Sequence, residues 1–149
     1  MKKFNYIFIF MFAISACHSD SPKKDYKNCT KSELAMSPDL VPYFDSFIED
    51  CKKRNINYDH AYCLDWMRFY HSHSVQGLTD LHNGTIEINE HLLEDSIGMK
   101  FVVYHEIGHW FGLEHSNGIM KKNYNSNDTE YVRENWNELA ENYFNKLNN

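Results

Sequence analysis

With only three prolines and six glycines among 149 residues, the chain has no Pro- or Gly-rich linker, no collagen-like period and no low-complexity tract of spacer length. No segment repeats, which excludes solenoids and propellers. Positive charge is scarce: the formal charge is −6, and without Lys2 and Lys3, the only charged groups of residues 1–16, it becomes −8, so there is no basic face for nucleic acid. Apolar runs are short, and the longest, the eleven residues 4–14, cannot cross the roughly 30 Å of a bilayer core. The four cysteines contain no CxxC, so neither a thiolate zinc ribbon nor a dithiol redox site is suggested. What the chain does have is aromatic bulk, with 10 Tyr, 10 Phe and 3 Trp in a composition that is 42% hydrophobic, enough for one core in one domain. With acidic charge around them, these rings read as core and surface aromatics rather than as a stacking platform for bases or sugars.

Met1-Lys2-Lys3 followed by the apolar run has the charged start and short middle of a bacterial export signal. The run ends in Ile14-Ser15-Ala16-Cys17, which resembles the lipobox of bacterial lipoproteins, in which Cys17 becomes the acylated first residue of the mature chain. Ordinary cleavage after Ala16 with a free Cys17 is the alternative, and either route takes the chain out of the cytoplasm to the cell envelope or beyond. Cys29, Cys51 and Cys63 then face an oxidising compartment, where one disulfide forms and one thiol is left over; the spacing does not say which pair. The polar, aperiodic stretch 17–36 reads as a flexible tether, with the folded domain over 37–149.

Within that domain, Phe44, Phe47, Ile48 and Cys51 keep the i, i+3, i+4, i+7 spacing of an amphipathic helix over 42–54, with Lys52, Lys53 and Arg54 suited to its C-terminal dipole. Residues 62–70 read as a strand. Asn83-Gly84 between two alternating segments predicts a two-stranded antiparallel hairpin over 77–89. Ser96 can cap a mostly buried helix that runs to Phe111, and Val132, Trp136, Leu139, Ala140, Tyr143 and Leu147 mark a C-terminal helix capped by Asn127 or Asp128.

The buried helix ends in His105-Glu106-Ile107-Gly108-His109-Trp110-Phe111-Gly112-Leu113-Glu114-His115, that is, HExxHxxGxxH. At about 100° per residue, His105 and His109 lie on one face one turn apart and can share an ion. Gly112 can take φ > 0, end the helix and turn the chain so that His115 supplies a third imidazole. Three neutral nitrogens around Zn²⁺ leave the fourth position to water, the open arrangement of a catalytic site, and Glu106 is placed to accept a proton from that water. Chance produces such a match on the order of once in ten thousand chains of this composition. Trp110, within the motif, is expected to pack the helix against the sheet or the C-terminal helix.

At these residues the chain resembles the metzincins, zinc peptidases defined by this extended motif and a Met-turn. Gly118-Ile119-Met120 is similar to that turn, with Met120 the candidate methionine. The resemblance implies a compact α+β zincin domain: a small mixed sheet with an antiparallel edge strand, a backing helix, the active-site helix, the Met-turn and a C-terminal helix. It also implies one catalytic Zn²⁺ on His105, His109 and His115, a base at Glu106, and an upper rim, here Gly77, Leu78, Thr79, Asp80 and Leu81, that pairs with an extended peptide substrate. A Tyr that assists the transition state in some relatives falls at Lys122 here, with Tyr124 displaced. No full propeptide with a cysteine switch is visible; Cys29 as a latency thiol is the less economical reading beside a tether or disulfide cysteine.

His71, His73, His82 and His91 could assemble a second metal site, their plainer reading being solvated surface histidines; His18 and His60 carry no pattern. The expectation is a monomeric, lipid-anchored zinc endopeptidase acting on peptide or protein, the alternative an exported lipoprotein that binds zinc or peptide without turnover.

Overall fold

The computed structural model describes residues 29–148. The export segment, Cys17 and the tether up to residue 28 lie outside the described residues.

The fold begins earlier than the sequence suggested. Residues 29–36, expected in the tether, enter the domain: Cys29 is disulfide-bonded to Cys63, Lys31–Glu33 forms a 3-10 turn, and β1 (Ala35–Met36) joins the sheet. A two-residue strand carries no readable period, which is why it was missed. Closing the 34-residue separation between the two cysteines stabilises the fold by about 3–4 kcal/mol in the chain-entropy account. The thiol left over is Cys51, buried in the core.

After β1 come α1 (Val41–Lys53), β2 (Trp66–Tyr70), β3 (Gly77–Asp80), β4 (Thr85–Asn89), α2 (Ser96–Trp110) and α3 (Thr129–Leu147). The strand expected over 62–70 is shortened, because Asp59–Cys63 is a 3-10 turn that brings Cys63 to Cys29. The sheet order is β1-β2-β4-β3, parallel except for β3, which runs antiparallel to β4 at one edge. That edge pairs with no other strand among the described residues. The hairpin turn is longer than the two residues predicted: Asp80 pairs with Thr85 across a four-residue loop. Asp80 Oδ1 accepts from the N–H groups of His82 and Asn83 (2.9 and 3.0 Å), so the carboxylate organises the loop, and Gly84 alone takes positive φ (67°).

One face of β4 buries Ile86 and Ile88, and α2 lies across β3 and β4 with α1 and α3 behind it. Eleven of the fifteen residues of α2 are buried, so its sequence is apolar all round rather than striped. Its N-cap is Asp95, one residue before the Ser96 expected, and accepts from Gly98 N–H at 2.9 Å. Of the two caps expected for α3, Asp128 holds the position, without a side-chain capping bond. Phe44 and Phe47 of α1 and Phe144 of α3 are fully or almost fully buried, each such ring contributing roughly 1.5–3 kcal/mol. Tyr143 donates to the carbonyl of Tyr104 (2.6 Å) and Tyr104 to Asp50 (2.9 Å), so the buried hydroxyls are satisfied. Trp110, buried in the core, stacks on His60 (5.0 Å, 10°), with its indole N–H donating to the His60 carbonyl at 2.8 Å.

Candidate metal centre

The last turn of α2 and the chain after it converge three imidazoles. Gly112 at φ +86° ends the helix in a Schellman arrangement, with Leu113 N–H bonded to the Gly108 carbonyl and Gly112 N–H to the His109 carbonyl, both 2.9 Å. That turn delivers the Leu113 carbonyl to His109, whose Nδ1–H donates to it at 2.8 Å. The turn Gly118–Met120 delivers the Ile119 carbonyl to His105, whose Nδ1–H donates at 2.7 Å. Both rings are thereby fixed as the tautomer with a lone pair on Nε2.

Those Nε2 atoms face one another: His109 lies 3.0 Å from His105 and 3.2 Å from His115. His105 and His109, neutral and donating through Nδ1, have no proton to share between their Nε2 atoms, so that contact is between lone pairs and calls for a cation. The spacing approaches the roughly 3.3 Å edge of a tetrahedron with Zn–N arms of about 2.0–2.1 Å, so the donor set fits zinc. Burial, reinforced by the neighbouring imidazoles, lowers His105 to about 4, and His109 is lowered for the same reason, so both are neutral and ready to ligate near pH 7. The triad grades from buried His105 through half-buried His109 to exposed His115, opening on one side.

Glu106 is buried beside the triad, and burial pushes its carboxyl up to about 7 against the opposing hydrogen bond of Thr79. Thr79 Oγ1 donates to Glu106 Oε2 at 2.7 Å and lies 2.9 Å from the Glu106 carbonyl. Gly77, the other contact, is close enough that a Cβ there would sit 2.5 Å from Glu106 Oε1. The edge strand thus cradles the carboxylate. Met120 is buried under the helix, where a Cβ on Gly108 would meet its sulfur at 2.5 Å, so the absence of a side chain at Gly108 admits it.

A cleft of about 1050 Å³ runs over the triad between β3 and residues 121–124. Of the rim expected from sequence, Gly77, Leu78, Thr79 and Leu81 line it; Asp80 does not, its carboxylate being engaged in the hairpin loop. Tyr124 also borders the cleft, but its hydroxyl is tied to Asp95 (2.8 Å) and Thr129 (2.6 Å), a structural role rather than one at the metal. Sequence reasoning did not find the carbonyls of Leu113 and Ile119, since any residue supplies a carbonyl, nor that Thr79 touches the base rather than only the rim.

A small mixed sheet packed on a helix that ends in three convergent imidazoles makes this a compact metal-binding α+β domain. The matrixin family model matches residues 18–142, and the chain belongs to that family, a zinc metallopeptidase-type domain with His105, His109 and His115 able to hold the ion. Comparison with curated proteins and with solved structures gave no match.

Proposed function

We propose that the chain is a zinc-dependent endopeptidase, exported and lipid-anchored at Cys17 in the bacterial cell envelope, acting as a monomer on extended peptide segments of protein substrates. The observation that carries this reading is the placement of Glu106: a buried carboxylate held against the edge strand by Thr79 and Gly77, next to a triad with an open side. A domain that only stored an ion would have no use for a base there.

His105, His109 and His115 would hold the ion. When bound, zinc supplies a Lewis acid that polarises the scissile carbonyl and makes water acidic enough to lose a proton near pH 7. The substrate backbone adds to the free edge of β3, beside the exposed side chains of Val75, Leu78 and Leu81. Glu106 takes the proton from the water that attacks the carbonyl carbon, and its carboxyl then protonates the departing amine nitrogen. Thr79 holds the carboxylate through this exchange, and the Ile119 and Leu113 carbonyls keep two imidazoles oriented. Met120 packs as the Met-turn beneath the triad. Export and acylation rest on the charged start, the short apolar run and the lipobox-like Ile14-Ser15-Ala16-Cys17.

The test is mass-spectrometric detection of new peptide termini when the zinc-loaded protein meets a denatured protein mixture, beside Glu106→Ala at matched zinc content. Cleavage by the wild type alone is expected. No cleavage by either would return the chain to the reading of a lipoprotein that binds zinc or peptide without turnover.

A further inference from the structure

The charges around the cleft are unevenly committed. Its floor is a row along α2, from Phe101 and Val102 through His105, Glu106 and His109 to Gly112, so the cleft follows the helix axis for about 16 Å at about 1.5 Å per residue. That length takes about five residues of extended peptide. The β3 wall brings no charge to it: Asp80 is engaged in the hairpin loop, and the exposed side chains of Val75, Leu78 and Leu81 are apolar. Charge comes from the facing side, where Glu114, Lys121 and Lys122 line the cleft. Lys121 is committed to Asp128 at 2.8 Å. Glu114 and Lys122 are exposed, and neither has an ion-pair or hydrogen-bond partner among the described residues.

These two groups lie on opposite sides of the triad. Met120 packs against Gly108, and four residues later Tyr124 stands at the first turn of α2, with its hydroxyl donating to the N-cap Asp95 at 2.8 Å and its ring 5.1 Å from that of Phe101. The chain between them, which carries Lys122, therefore runs back along α2 toward its start. Glu114 lies beyond the other end, after Leu113 N–H has closed the helix on the Gly108 carbonyl. Ser116 N–H bonds the Met120 carbonyl at 2.8 Å, so the two charged stretches leave a common neck in opposite directions.

We propose that Lys122 and Glu114 read the order of charge in a substrate: the cleft takes peptides with an acidic side chain on the flank of the scissile bond that faces Lys122 and a basic one on the flank that faces Glu114. The inference rests on the reading of this cleft as a site for extended peptide. An extended chain turns every second side chain to the same wall, so two residues on opposite flanks of the bond can meet the two charges at once. Each exposed pair is weak, but the reversed order sets like charges against one another at both ends, so discrimination draws on repulsion as well as attraction.

The test is fluorescence anisotropy with the full chain carrying Glu106→Ala and loaded with zinc, so that bound peptide is not cut. Two labelled peptides of identical composition are compared, one with Glu and Lys four residues apart around an apolar centre, the other with those two exchanged. They share one net charge and differ only in order. One order is expected to bind about threefold to tenfold more tightly than the other at low salt. Adding Lys122→Glu/Glu114→Lys, which leaves the net charge of the protein unchanged, should invert that preference. Equal affinities for the two orders, including no binding of either, overturn the proposal, as does a preference that the exchange leaves unaltered. A preference undiminished at about 1 M salt, where the screening length falls to about 3 Å, overturns its electrostatic basis. Matched zinc content and an unchanged thermal midpoint check that the exchange spares the triad and the fold. The peptidase reading fails by a different result, the absence of new termini from the protein with Glu106 intact, whereas the order preference is read without turnover.

Discussion

Two clusters of three histidines, His105, His109 and His115 within and His71, His73 and His91 outside, sit at opposite depths. The inner one grades from buried to exposed, has two of its Nδ1 protons committed to backbone carbonyls, and adjoins a buried carboxylate; the outer one is wholly exposed and has one ring committed to an exposed carboxylate. The difference teaches that convergence of imidazoles supplies ligand atoms, whereas a buried carboxylate beside them adds a group that can exchange a proton in an enclosed space. In the inner cluster a low local dielectric strengthens every charge interaction, and water enters from one side only. The outer cluster, open to solvent, has no enclosed space in which to position a reactant.

The comparison breaks most readily at Gly77. A Cβ there would lie 2.5 Å from Glu106 Oε1, so in Gly77→Ala the carboxylate has to leave its cradle while the zinc ligands stay in place. Cleavage should fall by about 10²-fold or more, the scale of a general base lost from position, with zinc content unchanged in dialysis. An unaltered kcat/KM would show that the cradle does not position the base. A milder break is Thr79→Val, which removes one hydrogen bond to a carboxylate and leaves volume nearly constant. The expected loss is about tenfold in kcat with KM little changed. Because the Thr79 hydroxyl lowers the Glu106 pKa, its removal raises it further, so the acid limb of the kcat profile should move to higher pH. A purely structural Thr79 would lower stability without moving that limb.

How much of this was legible in the sequence depended on the range of the signal. The helix α2 and its three histidines were readable because the spacing that places them is local: one helical turn, then a glycine stop. The edge hairpin was readable from alternation, although Asp80 drew its turn out to four residues by capping it with a side chain. Illegible were contacts that depend on tertiary approach. Pairing of Cys29 with Cys63, and entry of Ala35 and Met36 into the sheet, depend on where a 3-10 turn places distant residues. The contact of Thr79 with Glu106 spans 27 positions and carries no periodic trace. Of the four outer histidines grouped by type, strand direction separates His82 from His71, His73 and His91.

The smallest expected effect concerns the metal-free protein, where burial acts on the inner cluster in two opposing senses. His105, lowered from 6.5 to about 4, stays neutral in the fold where the unfolded chain takes up a proton, so its contribution is present above about pH 6.5 and is lost as pH falls toward 4. Glu106, raised from 4.5 to about 7, keeps its proton in the fold where the unfolded chain releases it, so its contribution is full below about pH 4.5 and is lost as pH rises toward 7. Between these limits the slopes oppose each other and largely cancel. Glu106→Gln removes one of them. Urea unfolding of the zinc-free variant and wild type at about pH 5 and about pH 7 should show the variant gaining on the wild type by about 1–3 kcal/mol as pH rises. An equal difference at both pH values would mean that the Glu106 carboxyl is ionised inside the fold across the whole range, and that its burial beside Gly77 and Thr79 does not set its protonation.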